Sequence, residues 1–326
     1  KDRYPDAAAL AEDLQNFLAG RPLTEDQKPS SPPEKTLGDH KIEKELARGG
    51  LWVVYRAKDS EDRSVALKRI RPGSSPPQEQ LSRLNATVQI AKKLSHDNLV
   101  PYLEVGGSGE DFYFTMSLIE GPTLEKSMKG KTMPSRKAAE LIATLAGAVE
   151  HAHQTGLIHC HLDQSNVLLH EDKPTLIGFE MARRREDRKG SFDLETIRPS
   201  SHGMAPEQLF NRPAQIGPAT DVYSLGVMLY ELLTGQPPYK STTTPELLLR
   251  VGFEILQPPH RINSNIPRPL SRICLKCMQV EVDKRYRSAA ALAEDLQAFL
   301  EGKPTVAEGS SFWNRAWKWI RSWVNK

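Results

Sequence analysis

The chain has little cysteine, little net charge and no long apolar run, and each shortage narrows what it can be. Cys160, Cys274 and Cys277 are its only cysteines. Such a small, odd number argues against a disulfide framework and for free thiols in a reducing compartment. Cys274 and Cys277 are spaced as CxxC. No second ligand pair accompanies them, and a helix would put both on one buried face, so a core position is expected over a metal site. No stretch reaches the roughly 18–20 apolar residues of a membrane-spanning helix. The formal charge of +3, from 44 basic and 41 acidic residues, is too small to imply a nucleic-acid partner. What is present, 38% hydrophobic and 26% charged residues in 326, suffices for one large two-lobed core or two modest ones. A first residue of Lys1 rather than methionine is expected of a segment of something longer.

An internal repeat sets the expected boundaries. RYPDAAALAEDLQNFLAGRP, Arg3 to Pro22, recurs as RYRSAAALAEDLQAFLEGKP, Arg285 to Pro304, with 15 of 20 positions identical. The pattern is an amphipathic helix closed by Gly20 or Gly302, with proline two residues on. The offset of 282 residues is the length of a whole domain and far beyond a solenoid period. Residues 1–22 are therefore read as the last helix of an upstream copy, with a duplicated capping helix as the alternative. Residues 23–38, rich in proline, serine and charge, read as a flexible linker. Short strand-like runs (LWVVYRA, SVALKRI, FYFTMSLIE) follow, broken by a helical stretch near 78–95. Helical patterns dominate from about residue 122. This predicts α+β organisation, with a strand-rich small lobe over about 39–120 and a helix-rich large lobe over about 121–304.

Four landmarks carry chemistry: VALK at Val65–Lys68, IHCHLDQSNVLL at Ile158–Leu169, MAPEQ at Met204–Gln208, and DVYSLGVMLYELLTG at Asp221–Gly235. In this order and spacing the chain resembles the eukaryotic-like serine/threonine protein kinases of bacteria, from about Lys41 to Pro304. The resemblance implies a protein-kinase-like two-lobed fold, ATP and magnesium as the family's cofactors, and a residue-by-residue set of roles. The family's glycine-rich loop falls on ALARGGLWVV in the register Ala47, Gly49, Trp52, so only the middle glycine remains. An indole at position 52 would swing out, fill nucleotide space, or pack on the small lobe. Lys68 matches the lysine that holds the α and β phosphates, but its usual glutamate partner falls on Thr87, leaving the lysine without a carboxylate to aim it. Val54, Ala66, Met116, Ser117 and Ile119 match the walls of the adenine slot, Met116 as gatekeeper and Ser117 as first hinge residue.

The catalytic loop departs furthest from the family. On the pattern H-R-D-L-K-P-x-N, His159 is retained, Cys160 replaces the arginine, and His161 replaces the catalytic aspartate. Asp163 replaces the lysine and Asn166 is retained. Reading His161-Leu162-Asp163 as the HxD instead leaves Asp163 three residues before Asn166, where five are needed. An acid in place of the lysine repels the phosphoryl group as it transfers. The D-F-G motif falls on Gly178-Phe179-Glu180, so the aspartate that bridges magnesium to the phosphates is lost. Asn166 is then the one recognised metal ligand, with Glu180 as a conceivable substitute. Glu207 and Arg285 match the family's buried ion pair, and Asp221 matches the aspartate opening the central helix, whose apolar residues run to Gly235. Arg183 to Arg185, with Thr196, Ser200 and Ser201, offer a basic cluster and acceptors for phosphorylation, or simply a solvated loop.

With scaffold kept and chemistry replaced, the expectation is a catalytically impaired pseudokinase. Its role would be regulatory or scaffolding, with weak ATP binding and doubtful magnesium; a decaying gene gives the same pattern. One alternative is an active kinase using His161 or Asp163 and Glu180 in altered roles, and another is a nucleotide or small-ligand sensor without turnover. Expected partners are the upstream kinase-like domain and other signalling proteins. The tail 305–326 contains FWNRAWKWIRSWVNK, with four tryptophans, four basic residues and no acid. On a helix Trp313, Trp317, Ile320 and Val324 form one stripe, as in a segment lying on an anionic membrane surface, which would place the protein in the cytoplasm at the membrane's inner face. Docking on the domain or disorder are the alternatives, and liposome pelleting with and without residues 312–326 separates them.

Overall fold

The computed structural model describes residues 36–185, 187, 203–241 and 243–309. The repeat helix at 3–22, residues Thr196, Ser200 and Ser201, and the tail segment 312–326 lie outside them. The first unit is a six-stranded antiparallel sheet in the order β1-β2-β3-β4-β6-β5. Its strands are β1 (Thr36–Leu37), β2 (His40–Gly49), β3 (Trp52–Lys58), β4 (Ser64–Ile70), β5 (Tyr102–Gly106) and β6 (Tyr113–Ser117). Between β4 and β5 runs helix α1 (Gln78–Ala91).

Alternation along β3 and β4 decides which side chains see the cleft. Val53, Tyr55, Ala57, Val65 and Leu67 turn to one face and pack with Leu37 and Tyr113. Trp52 and Val54 turn to the other, opposite Ile70 and Lys68 in the β3–β4 register. Strand β1 lies within the stretch expected to be linker. Leu37 is buried there and Thr36 pairs with Lys41, so the domain starts earlier than composition suggests.

The second unit is helical: α2 (Leu124–Met128), α3 (Ser135–Gln154), α4 (Pro206–Leu209), α5 (Pro218–Thr234), α6 (Thr244–Phe253), α7 (Pro259–Ile262), α8 (Arg268–Cys277), α9 (Ala289–Leu300) and α10 (Val306–Gly309). Four short strands cross it: β7 (Leu157–Ile158), β8 (Val167–His170), β9 (Lys173–Leu176) and β10 (Arg183–Arg184). They pair as β7 with β10 and β8 with β9. Helix α3 buries Ala138, Ile142, Leu145, Val149 and Ala152, a 3.6-residue stripe. Helix α5 is buried nearly all round, as a central helix must be. It stops at Gly235, which holds φ +72° and whose Cβ, were there one, would sit 2.6 Å from the Gly130 carbonyl oxygen.

Cys274 and Cys277 are buried free thiols on α8. A Cβ added at Gly226 of α5 would come 2.4 Å from Cys277 Cβ, so these small residues let two helices cross closely. That is close packing. The fold also outlasts Pro304. Val306 N and Ala307 N donate to the two carboxylate oxygens of buried Asp295 at 2.5 and 3.0 Å, so the expected tail begins as part of the domain. No helix among the described residues is long and apolar enough to cross a membrane.

Candidate active-site cleft

The catalytic loop is held from below. Asp221, in the first turn of α5 and fully buried, accepts hydrogen bonds from His159 N, Cys160 N and His153 Nε2, each at 2.8 Å. Cys160 sits at φ +63°, a strained backbone for a side-chain-bearing residue, and its carbonyl accepts from Gln208 Nε2 at 2.7 Å. Burial pushes its thiol pKa well up, so it is an inert filler where the family has an arginine. His159 is also fully buried. Its Nε2 donates to Ile177 O at 2.9 Å and its Nδ1 accepts from His161 N at 3.2 Å. That pattern suits the neutral ring, and burial lowers the His159 pKa despite the pull of Asp221.

The loop then delivers His161, Asp163 and Asn166 to the space between the lobes. Asp163 caps the short turn Gln164–Asn166. Its Oδ1 accepts from Ser165 N at 2.8 Å, Ser165 Oγ at 2.5 Å and Asn166 N at 3.2 Å. Its Oδ2 lies 3.8 Å from His161 Nε2. Asn166 Nδ2 donates to His161 O at 2.7 Å. The asparagine's Oδ1 faces Gly178, where an added Cβ would come within 3.0 Å of it.

Lys68 is not the unpartnered lysine expected from Thr87. Thr87 is buried in α1, and Lys68 Nζ instead makes an ion pair with Glu180 Oε1. Gly178, at φ +99°, turns the chain so that the following turn, Phe179–Met181, points Glu180 back under the sheet. Tyr102 Oη donates to Glu180 Oε2 at 2.9 Å and accepts from Phe179 N at 2.9 Å. Glu180 is 3% exposed. Burial alone would raise its pKa, but the Lys68 ammonium and the Tyr102 hydroxyl hold it below the usual carboxylate range. Both oxygens are therefore engaged inside the protein.

Trp52 packs inward. It is 8% exposed, edge-on to Phe114 at 5.5 Å, and Lys68 Nζ stands 5.3 Å from its ring centroid. Of the three outcomes open for Trp52, packing on the small lobe is the one observed, and the indole covers the lysine while doing so. Ala47, Gly49, Val54, Ala66, Met116, Ser117 and Ile119 line the same cavity of about 620 Å³ as Trp52, Lys68, His161, Asp163, Asn166, Gly178 and Glu180. The basic cluster is partly committed: Arg184 makes a two-pronged contact with Asp187 at 2.9 and 2.8 Å, and Arg183 Nε donates to Asp187 O at 2.8 Å. The scaffold residues meet: Arg285 and Glu207 are joined at 2.9 and 2.7 Å. Tyr102 has no place in the sequence reading and Gln208 has no role of its own there, although each is buried and hydrogen-bonded to the cleft's frame.

The cavity fits part of a nucleotide. Its volume lies within the ~300–1,000 Å³ of small-molecule sites, and Leu118 and Ile119 border it. At the metal end Asn166 and Asp163 border the cavity, and Gly178 stands where the resemblance places an aspartate; magnesium takes one or two carboxylates besides the phosphates it bridges.

A second cavity, about 250 Å³, lies below the catalytic loop and is bordered by Glu125, Asp163, Gln164 and Glu231. Burial pushes the Glu231 pKa up to about 7, opposed by the hydrogen bond from Gln164 Nε2 at 2.9 Å and reinforced by Asp163 and Glu125. The ordinary value is 4.5, so between about 4.5 and about 7 the folded protein holds a proton that the unfolded chain has released. Stability therefore falls as pH rises through that window, and the cost is complete above it. Glu231→Gln removes the ionisation and keeps an oxygen for Gln164. It is expected to raise the unfolding free energy by about 1–3 kcal/mol at pH 8 and to change it little at pH 4.5. Urea titrations at the two pH values check this; an equal gain at both would assign the effect to something other than charge.

Comparison with known proteins fits this geometry. Residues 40–296 match the family model described as protein kinase domain. The chain is 29% identical over 261 residues to a probable serine/threonine-protein kinase of Clostridium acetobutylicum, covering 79% of this chain and 39% of that protein. It is 31% identical over 292 residues to the serine/threonine-protein kinase PknD of Chlamydia caviae, covering 79% and 31%. It is 28% identical over 287 residues to a probable serine/threonine-protein kinase of Streptomyces coelicolor, covering 84% and 42%. The chain thus spans well under half the length of these relatives.

Proposed function

Because the chain belongs to the protein kinase domain family, whose fold implies ATP and magnesium in general, we propose that this member keeps the interlobe cleft but is impaired in phosphotransfer. It would act as a regulatory or scaffolding domain. One observation carries the reading: no free carboxylate stands at either place where transfer needs one. His161 and Gly178 occupy those positions; Glu180 is bound to Lys68 and Tyr102, and Asp163, beside His161, spends one oxygen on capping the Gln164–Asn166 turn. A single lost transition-state contact costs about 10²–10³ in rate, and such losses act as a unit rather than multiplying.

A second reading is supported by the relatives, each of which is named a serine/threonine kinase. In it the chain transfers the γ-phosphate to protein serine or threonine, and His161, beside Asp163, accepts the hydroxyl proton. Incubating the full chain with γ-labelled ATP, magnesium and a generic protein acceptor separates the two. No label above a heat-killed control is expected. Label that disappears in Lys68→Ala would establish the second reading and end the first.

A further inference from the structure

Helix α9 and the residues just before it show what a segment of this sequence needs in order to seat. Within Arg285 to Pro304 six residues are buried: Arg285, Tyr286, Ala289, Leu292, Asp295 and Leu296. The apolar ones set α9 on α3 and α5. Glu150 of α3 accepts from Ala290 N at 3.1 Å, and Arg136 at the other end of α3 donates to Leu300 O at 3.0 Å. The polar ones are each matched: Tyr286 Oη donates to Asp295 at 2.5 Å, and Arg285 engages both carboxylate oxygens of Glu207. In the repeat at 3–22 all six are kept, as Arg3, Tyr4, Ala7, Leu10, Asp13 and Leu14. The five exchanges fall opposite Arg287, Ser288, Ala298, Glu301 and Lys303, which are exposed or partly exposed. One of them preserves its role: Ser288 caps α9 by accepting from Ala291 N at 3.1 Å, and its counterpart Asp6 is an equally good cap. A helix merely lying on a surface has no use for an arginine and an aspartate on its inner face, where an unmatched charge is costly. Tyr4 and Asp13 can match each other as Tyr286 and Asp295 do. Arg3 requires a carboxylate from elsewhere, and both oxygens of Glu207 already face Arg285.

We propose that residues 3–22 close the groove of a second kinase-fold domain that precedes this one in the same polypeptide. Leu10 and Leu14 would lie against that domain's counterparts of α3 and α5, and Arg3 on its counterpart of Glu207. The groove of the present domain is filled by α9, which is tethered beside it and so outcompetes a more distant copy of the same helix. A partner for 3–22 is therefore another body with the same groove and the same buried acid. Helix α9 comes at the end of its own domain, so a segment built like it completes a body that lies before it in the chain. The thirteen residues Leu23–Lys35 join the two. They extend to at most about 45 Å, roughly the diameter of one such domain, which holds the two bodies at an effective concentration of about millimolar. The inference stands whether or not this domain transfers phosphate, because it rests on how a terminal helix seats and on nothing in the cleft.

Hydrogen exchange on the full chain is the first test. Amides of residues 7–18 are expected to exchange as a free peptide does, and those of 289–300 at least about 100-fold more slowly. Equal protection of the two would seat 3–22 on this domain and overturn the proposal. Fit is tested by writing the first copy into the second, with Arg287→Pro, Ser288→Asp, Ala298→Asn, Glu301→Ala and Lys303→Arg made together in the full chain. The variant is expected to melt within about 5 °C of its parent, and a larger loss means that 3–22 is not a competent helix for such a groove. The third test uses the polypeptide expressed from its natural start. Limited proteolysis within residues 23–35 is expected to release a folded fragment ending in 3–22. Arg3→Ala is expected to lower that fragment's melting temperature by about 5 °C or more, as loss of a buried ion pair should, and to leave the melting of the domain at 36–309 unchanged. No folded fragment before residue 23, or an Arg3→Ala effect on the domain at 36–309 instead, overturns the proposal. Labelled product in the phosphotransfer assay would end the non-catalytic reading and leave this inference standing.

Discussion

Glu207→Ala is expected to lower the unfolding free energy by about 3–5 kcal/mol, because it leaves a buried guanidinium without its counter-charge. The Arg285 side chain is fully buried and that of Glu207 is 1% exposed. Every donor of Arg285 is engaged. Nε reaches Gln279 O at 2.7 Å, Nη1 reaches Glu207 Oε1 and Ala219 O, both at 2.9 Å, and Nη2 reaches Glu207 Oε2 at 2.7 Å and Val280 O at 3.2 Å. The guanidinium also lies 4.9 Å over the Tyr223 ring, and Thr220 Oγ1 donates to Glu207 at 2.7 Å. Removing the carboxylate strands two N–H groups, a hydroxyl and a full positive charge where water does not enter. Arg285→Lys is not a conservative remedy, since one ammonium cannot reproduce a five-donor planar fork. Urea denaturation followed by far-UV circular dichroism reads the loss. A change below about 1 kcal/mol would mean that water reaches the pair and that the segment carrying Glu207 is not fixed by it.

The helix that carries Asp221 was legible in the sequence because it is written locally, whereas the pairing of Glu207 with Arg285, 78 residues along the chain, was legible only as an implication of the family resemblance. MAPEQ and DVYSLGVMLYELLTG are contiguous strings whose apolar spacing and terminal Gly235 state both the helix and its end. The two carboxylates sit at fixed offsets within them. The lining of the cleft was legible through the same resemblance, and in the structure β3, β4 and β6 each contribute residues of a short run to it. The cysteines of the CxxC were likewise readable as core from their helical spacing, and Gly226 supplies the close approach that makes the site so tight.

The partner of Lys68 was not legible by that route. A carboxylate was sought one helix away, at Thr87, but it comes from Glu180, 112 residues along the chain. Its direction depends on Gly178 adopting φ +99°, a conformation glycine permits without announcing it. A signal did exist: Glu180 is an acid inside an apolar stretch, PTLIGFEMA, where an unpaired carboxylate would be costly. Tyr102 was missed for a similar reason, because an aromatic in a strand reads as core until its hydroxyl is seen bridging Glu180 and Phe179 N. The domain's edges were misjudged because composition marks linkers poorly. Two residues of strand at Thr36–Leu37 and four of helix at Val306–Gly309 are too short to show periodicity, yet each is fixed by hydrogen bonds to the body.

Glu180→Ala is expected to cost about 2–4 kcal/mol, less than the Glu207 change because Lys68 is 18% exposed and keeps some contact with water. The replacement leaves the Lys68 ammonium under the Trp52 ring with no anion and deprives the Tyr102 hydroxyl of its acceptor. Removing both charges at once, as Lys68→Met with Glu180→Leu, is expected to recover most of the loss, since a well-packed apolar pair avoids the desolvation of two ions. Full recovery is not expected, because Tyr102 keeps an unmatched O–H, a deficit of about 1–3 kcal/mol. The pH dependence supplies an independent check. The Glu180 pKa is held below its ordinary 4.5, so the stability it contributes is complete above that value and is lost as pH falls through the lower folded value. The gap between the native chain and Glu180→Ala should therefore be constant near neutrality and narrow in acid. A gap that instead widens in acid, or a double variant no more stable than the single one, would mean that Lys68 and Glu180 are held by their surroundings and not by each other.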